Sequence, residues 1–161
     1  MEPGVIIIGV ISLVACILPF VLMNSNRKKI EQQHLQSLAG VAALYQCNVT
    51  EYEFCAGAVI GLDAQNGYVF FYRRIHDKEL AQGVRLSGIQ TCKMVKSGRN
   101  LAEYPTIDTI ELRFISAVKT DPDVVLELFN IRDSLQLAGE LSWAERWEKK
   151  INALLAQRNA A

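Results

Sequence analysis

The chain has 161 residues, half of them hydrophobic, and its 17 basic and 17 acidic side chains balance to a net charge of zero. Without a net positive field, nucleic acid is not an expected partner. The four cysteines form no C-x-x-C pair and only two histidines are present, so neither a metal site nor a bound cofactor is indicated.

The N-terminal segment is the most hydrophobic part of the chain. Residues 5–23 carry no charge, and Arg27, Lys28 and Lys29 follow closely. As a helix this run is roughly 28 Å long, which predicts a transmembrane segment and makes residues 1–25 a membrane anchor. Short basic flanks stay on the cytoplasmic side, so we expect a single-pass protein of the inner (cytoplasmic) membrane with residues 24–161 inside the cell. The expected anchor residues include Val5, Ile6, Ile7, Ile8, Leu13, Leu18, Phe20 and Leu22.

Two other interpretations of this segment stay open. A cleaved signal peptide normally has a basic start and a shorter apolar run than residues 5–23. Residues 13–16, Leu-Val-Ala-Cys, resemble a bacterial lipoprotein box in which Cys16 would be lipidated. The apolar residues 17–23 argue against lipidation, because lipoproteins turn polar soon after that cysteine.

Residues 26–46 predict an amphipathic helix, within a connecting region of residues 26–50. Its apolar residues recur at steps of three to five: Ile30, Leu35, Leu38, Val41, Ala42 and Tyr45. Such a stripe packs on the helix's own domain or pairs with another protein, and we favour its own domain.

The pattern then changes to the alternation of strands. Asn66-Gly67 divides residues 56–75 into two alternating runs, which predicts a hairpin with a tight turn. Residues 83–95 predict a further strand pair, interrupted by Ser87-Gly88 as a turn or bulge. Residues 109–118 and 124–131 flank the turn at residues 120–123 and predict another hairpin. Five to seven strands at this spacing indicate an antiparallel sheet rolled into a sandwich or partial barrel.

The last element is a predicted amphipathic helix. Ser142 and Glu145 have the spacing of a capping box, in which each side chain accepts the other residue's backbone N–H at the helix start. Trp147 lies on the apolar face and is expected to fill the core. The resulting fold class is α+β, with the domain at residues 51–161.

This order of strands and one final helix resembles a pleckstrin-homology-like domain, on residues 56–75, 107–131 and 139–156. Residues 58–63 and 139–147 also resemble small uncharacterised bacterial membrane proteins with one N-terminal span before such a domain. The resemblance implies a bent sheet sandwich whose one end is closed by the C-terminal helix. Lipid-binding members of that superfamily hold phosphates with basic residues around the first hairpin turn. Residues 63–67 of this chain, Asp-Ala-Gln-Asn-Gly, carry none, so the resemblance implies no phosphoinositide site.

Basic residues near strand ends form a candidate patch for lipid headgroups or a protein partner. Its members are Arg73, Arg74, Lys93, Lys96 and Arg99. The alternative is that these are ordinary solvated charges interleaved with acidic residues.

No catalytic motif is present, and we predict that the protein is not an enzyme. His76-Asp77 is the one adjacent acid–base pair, and it is expected to mark a loop, since neighbouring side chains on a strand point to opposite faces. No small-molecule substrate is evident either.

The predicted function is a membrane-tethered interaction module, with membrane lipid and an unidentified protein as partners. An open edge strand of its sheet could bind an extended peptide. One alternative is a small accessory subunit of a larger membrane complex, with Gly9, Ser12 and Cys16 as the contact face of its span. The other is an enzyme whose site only the fold reveals.

Overall fold

The computed structural model describes residues 3–101 and 104–160, and for residues 3–10, 13, 101 and 104 it describes the backbone alone. Two long helices flank nine strands in this part of the chain. In chain order the elements are α1 Pro3–Leu44, β1 Glu51–Cys55, β2 Ala58–Asp63, β3 Tyr68–Ile75, β4 Lys78–Arg85, β5 Ile89–Ser97, β6 Asn100–Leu101, β7 Tyr104–Pro105, β8 Thr109–Ser116, β9 Val124–Asn130 and α2 Glu140–Ala160.

The strands form two main antiparallel sheets. The first sheet has the order β1-β2-β3-β4, the second has the order β5-β8-β9, and β6 pairs with β7 in a small separate hairpin. Neither main sheet closes on itself. The predicted α+β class with antiparallel sheets is therefore confirmed.

The hairpin predicted at residues 56–75 is confirmed as β2 paired with β3. Its loop is longer than a two-residue turn, because Asp63 is opposite Tyr68 and four residues lie between them. Of the Asn66-Gly67 pair only Gly67 has a positive φ, of 71°. The Asp63 carboxylate stabilises this wider loop by accepting the Asn66 N–H at 3.0 Å.

The strand pair predicted at residues 83–95 is wrong in its pairing. β4 pairs with β3 in the first sheet, and β5 pairs with β8 in the second. A 3-10 turn at Leu86–Gly88 carries the chain from one sheet to the other, and buried Leu86 fixes that corner in the core. The hairpin predicted at residues 109–131 is confirmed as β8 and β9.

α2 begins two residues before the predicted capping box, so the box is wrong. Gly139 enters the helix with a φ of 107°, and the buried Glu140 carboxylate accepts the Ala138 N–H at 2.5 Å. Ser142 and Glu145 therefore lie inside the helix, and both are exposed. The prediction for Trp147 is confirmed, because its side chain is 1% exposed in the core between the sheets and α2.

The C-terminal half of α1 packs on the outer face of the first sheet. Leu38 and Ala42 are buried there against a cluster formed by Val59, Phe70 and Tyr72. The opposite face of the same strands joins the main core with the second sheet and α2. β2 and β3 are therefore covered on both faces, which explains their nearly continuous apolar sequences. The prediction that this helix packs on its own domain is confirmed.

α1 is one continuous helix, so the predicted boundary between anchor and connecting helix falls inside it. Among the helical residues with described side chains, no stretch is long and apolar enough to cross a membrane. Of the predicted anchor residues, Val5, Ile6, Ile7, Ile8 and Leu13 lie outside that description. Leu18, Phe20 and Leu22 lie inside it and are exposed.

Candidate functional site

Three surface concavities lie at one end of the domain, and α1 leaves the domain at that end. We call it the exit end and define it by the β1–β2 turn at Ala56 and Gly57, the β3–β4 turn at His76 and Asp77, and the β9–α2 loop of residues 131–139. Arg27 and Ile30 of α1 share one concavity with the β1–β2 turn. Ser134 and Ala138 of the loop share another with Ala56 and His76. The three segments are therefore neighbours at the base of the projecting part of α1.

A cleft of about 570 Å³ lies at the exit end, and we call it the Arg73 cleft. It lies between edge strand β4 of the first sheet and edge strand β9 of the second. Its lining residues are Arg73, Ile75, His76, Asp77, Lys78, Glu79, Leu80, Glu127 and Asp133.

Arg73 links the two sheets across the base of this cleft. Its side chain is 7% exposed, and its Nη1 donates to the backbone carbonyl of Glu127 at 3.2 Å. Nη1 lies 3.5 Å from the Glu127 carboxylate, and Nη2 lies 3.4 Å from the Asp133 carboxylate. The two carboxylates compensate the charge of the buried guanidinium. Because Arg73 is on β3 and Glu127 is on β9, this contact also holds the two walls of the cleft together.

Charged side chains of both signs line the cleft. Four carboxylates line it, from Asp77, Glu79, Glu127 and Asp133, against the two cations of Arg73 and Lys78 besides His76. The Arg73 guanidinium is already paired with Glu127 and Asp133. The remaining rim carries Asp77 and Glu79 against Lys78, and Glu79 lies 3.8 Å from Arg74, so the charges around exposed Leu80 nearly balance.

The sheet edges differ in how far α2 covers them. Along β5, the Asn152 side chain accepts the Cys92 N–H at 2.8 Å and donates to the Cys92 carbonyl at 2.7 Å. Glu148 accepts the Met94 N–H at 3.1 Å. α2 thus occupies backbone groups on which an added strand would have to pair. The first half of β4 is exposed at the Arg73 cleft instead, so β4 is the more accessible edge.

A second concavity of about 220 Å³ at the exit end contains both a thiol and an imidazole, from Cys55 and His34. Burial, with the nearby charges of Glu140 and Glu53, raises the pKa of the Cys55 thiol to about 11. Burial and the Arg74 charge lower the pKa of His34 below its ordinary value. The thiol therefore stays protonated at neutral pH, whereas a cysteine nucleophile requires the thiolate.

The structure divides the five basic residues of the predicted patch. Arg73 is buried in the cleft base, and exposed Arg74 at the exit end lies 3.8 Å from Glu79. Lys93 and Lys96 are exposed on β5 of the second sheet, and Arg99 follows that strand and pairs with Asp108 at 3.3 Å. Arg73 cannot meet a headgroup from its buried position, so these residues do not form one exposed surface.

Sequence reasoning missed the acidic partners of Arg73. Glu127 and Asp133 are 54 and 60 residues away along the chain, and no local pattern joins them to β3. The prediction that His76-Asp77 lies in a loop is confirmed, since Ile75 is opposite Lys78 and the pair forms the turn between them.

No known protein family, curated protein or solved structure matches this chain.

Proposed function

We propose that the protein is a membrane-tethered, non-catalytic interaction module, which presents a pleckstrin-homology-like domain at the cytoplasmic face of the inner membrane. The observation that carries this proposal is the division of α1 into two unlike halves. Its C-terminal half packs on the first sheet. Along residues 11–23 the large apolar side chains are exposed: Ile11, Val14, Ile17, Leu18, Phe20, Val21, Leu22 and Met23.

An apolar helix surface with no protein cover is typical of a segment embedded in lipid. The uncharged run of residues 5–23 has the length that a bilayer requires. Because α1 has no break between this run and the docked half, a span here would orient the domain rigidly. Arg27, Lys28 and Lys29 would then lie at the cytoplasmic headgroups.

The Arg73 cleft supports the binding part of the proposal. It has the volume of a ligand site and lies beside an accessible strand edge. Arg73 is held by Glu127 and Asp133, and the Cys55 thiol in the neighbouring concavity is protonated at neutral pH. These groups favour recognition over group transfer.

The tether is tested by extraction of the full chain from membranes. We expect alkaline carbonate to leave the protein in the membrane fraction, and we expect a variant without residues 1–25 to appear in the supernatant. External protease applied to intact cells should leave the domain uncut. Carbonate release of the full chain, or digestion from outside, would contradict the proposal.

The cleft is tested by photocrosslinking in cells from single positions of the full chain. A photoreactive side chain at Leu80, which is 41% exposed in the cleft, should give a discrete protein adduct. The same group at Val118, 52% exposed in the β8–β9 loop, is the matched control and should give none. Adducts from Ser12 in α1 but not from Leu80 would favour the accessory-subunit alternative.

A further inference from the structure

The β9–α2 loop carries the most exposed large apolar side chain of the described residues. Leu135 is 91% exposed and Leu137, two residues later, is 40% exposed. The loop is nevertheless anchored to the domain just before Leu135 and has a hydrogen bond of its own across Leu135. Asp133 pairs with buried Arg73, and the Ser134 hydroxyl donates to the Gln136 carbonyl at 3.1 Å. Leu135 therefore points outward from a loop that is attached to the domain through Asp133.

This loop lies at the exit end, where α1 leaves the domain. Ser134 and Ala138 share a concavity with Ala56, and Ala56 shares another with Arg27 and Ile30 of α1. Arg27 is only four residues beyond Met23, about 6 Å along the helix axis. Leu135 is thus on the side of the domain from which the apolar half of α1 projects.

We propose that the exit end rests on the bilayer surface, with Leu135 inserted at the boundary between headgroups and acyl chains. This inference rests on the proposed function, since it takes residues 5–23 as the span. The bilayer is the occupant because the same helix that docks in the domain continues from this end as an apolar segment. Arg132 beside the leucine and Arg27, Lys28 and Lys29 on α1 are exposed, and they match anionic headgroups.

Contact at two points fixes how the domain sits on the membrane. α1 provides one point and Leu135 the other, so rotation of the domain about the helix axis is restricted. The Arg73 cleft shares Asp133 with this loop and would therefore open at the level of the membrane surface. A partner for the cleft would be a segment that lies close to the membrane.

Leu44 provides a matched control for this geometry. It is 83% exposed at the opposite end of α1, twenty-one residues beyond Met23 and about 32 Å further along the axis. The experiment uses Leu135→Trp and Leu44→Trp in the full chain. Each variant is reconstituted into vesicles of phosphatidylcholine and phosphatidylglycerol, with and without bromine on the upper acyl chain. The native Trp143 and Trp147 are buried, and the wild-type protein supplies their background emission.

We expect brominated lipid to remove most of the emission added by Leu135→Trp and little of that added by Leu44→Trp. Equal quenching of the two variants, or no quenching of Leu135→Trp in vesicles that retain the protein after carbonate, would overturn this inference alone. Release of the wild-type protein by carbonate would overturn the proposed function and this inference together. Both substitutions are at exposed positions, so neither result depends on a folding defect.

Discussion

The two faces of the first sheet are covered in different ways. Among the side chains that the structure describes, nineteen buried residues form the inner cluster with the second sheet and α2, whereas six form the outer cluster with α1. α2 is also fastened by polar contacts, since the Trp147 indole N–H donates to Glu53 at 2.8 Å and Asn152 pairs with Cys92. At the α1 interface Gly61 of the sheet lies close to Leu38 of the helix, and His34 of the helix is buried.

This difference separates the element that completes the fold from the element that connects it to the N-terminal segment. Loss of the inner cluster would expose most of the core, so α2 should control global stability. The outer cluster is small and depends on close approach of helix and sheet. Its perturbation should loosen α1 before it unfolds the sheets.

The largest expected effect is that of Trp147→Ala. The substitution empties the centre of the inner cluster and leaves Glu53 without its indole donor, so we expect a loss of about 3–5 kcal/mol in unfolding free energy. Urea denaturation of the full chain in detergent micelles measures it. Glu145→Ala, on the exposed face of the same helix, is the control and should change stability by less than about 0.5 kcal/mol.

Leu38→Ala tests the outer cluster in the same way. Leu38 is fully buried between α1 and the sheet, and its truncation should cost about 2–4 kcal/mol. Hydrogen exchange should accelerate in residues 34–44 while β8 and β9 stay protected. Leu44→Ala, at a side chain 83% exposed on the same helix, should alter neither measurement. Uniform acceleration across both sheets would show that the two clusters are not separate.

Gly61→Ala sharpens the comparison, because it acts on the approach of α1 without removing an apolar group. A β-carbon at Gly61 would lie 2.7 Å from Leu38 Cδ2 and 2.7 Å from Val49 Cγ1. We expect overpacking to cost about 1–3 kcal/mol, and the double variant with Leu38→Ala to lose less than the sum of the single variants. Gly40→Ala is the control. Its added carbon meets no atom within 4 Å, so it should stabilise the helix by up to about 1 kcal/mol.

Sequence patterns predicted the elements of both clusters but not how the sheets divide. The alternation around residues 66–67 and 120–123 identified two hairpins, because neighbouring strands with a short loop pair locally. The same reasoning paired β4 with β5 wrongly. Ser87-Gly88 looks like a hairpin turn, and only the buried position of Leu86 makes it a corner between sheets.

The candidate site was less predictable than the fold. β1 was missed although residues 51–54 alternate polar with apolar side chains; its two glutamates pair with Arg146 and Lys150 on α2, which the sequence does not indicate. The cleft depends on Arg73 meeting Glu127 and Asp133, which is a tertiary contact between two sheets. Strand alternation can assign a side chain to a face, but it cannot identify a charged partner in another sheet.

The smallest expected effect concerns the buried histidine of the α1 interface. His34 packs edge-on against Tyr72, with ring centroids 5.3 Å apart, and burial lowers its pKa below the ordinary 6.5. Below pH 6.5 the unfolded chain binds this proton more readily than the folded chain does. Stability should therefore fall as the pH drops from 6.5 toward the folded pKa, by at most about 1.4 kcal/mol per pH unit. Above pH 6.5 this contribution is fully present.

The measurement is the pH dependence of unfolding free energy for the full chain and for His34→Gln in the same micelles. The difference between the two curves should be flat above pH 6.5 and sloped below it. Arg74 and Glu79 face His34 with opposite effects on its pKa. Arg74→Gln should therefore raise the pKa of His34 and reduce the slope. Parallel curves for wild type and His34→Gln across the whole range would mean that the imidazole titrates alike in the folded and unfolded chains. α1 docking would then carry no pH dependence from this residue, and in that respect it would resemble the apolar inner cluster.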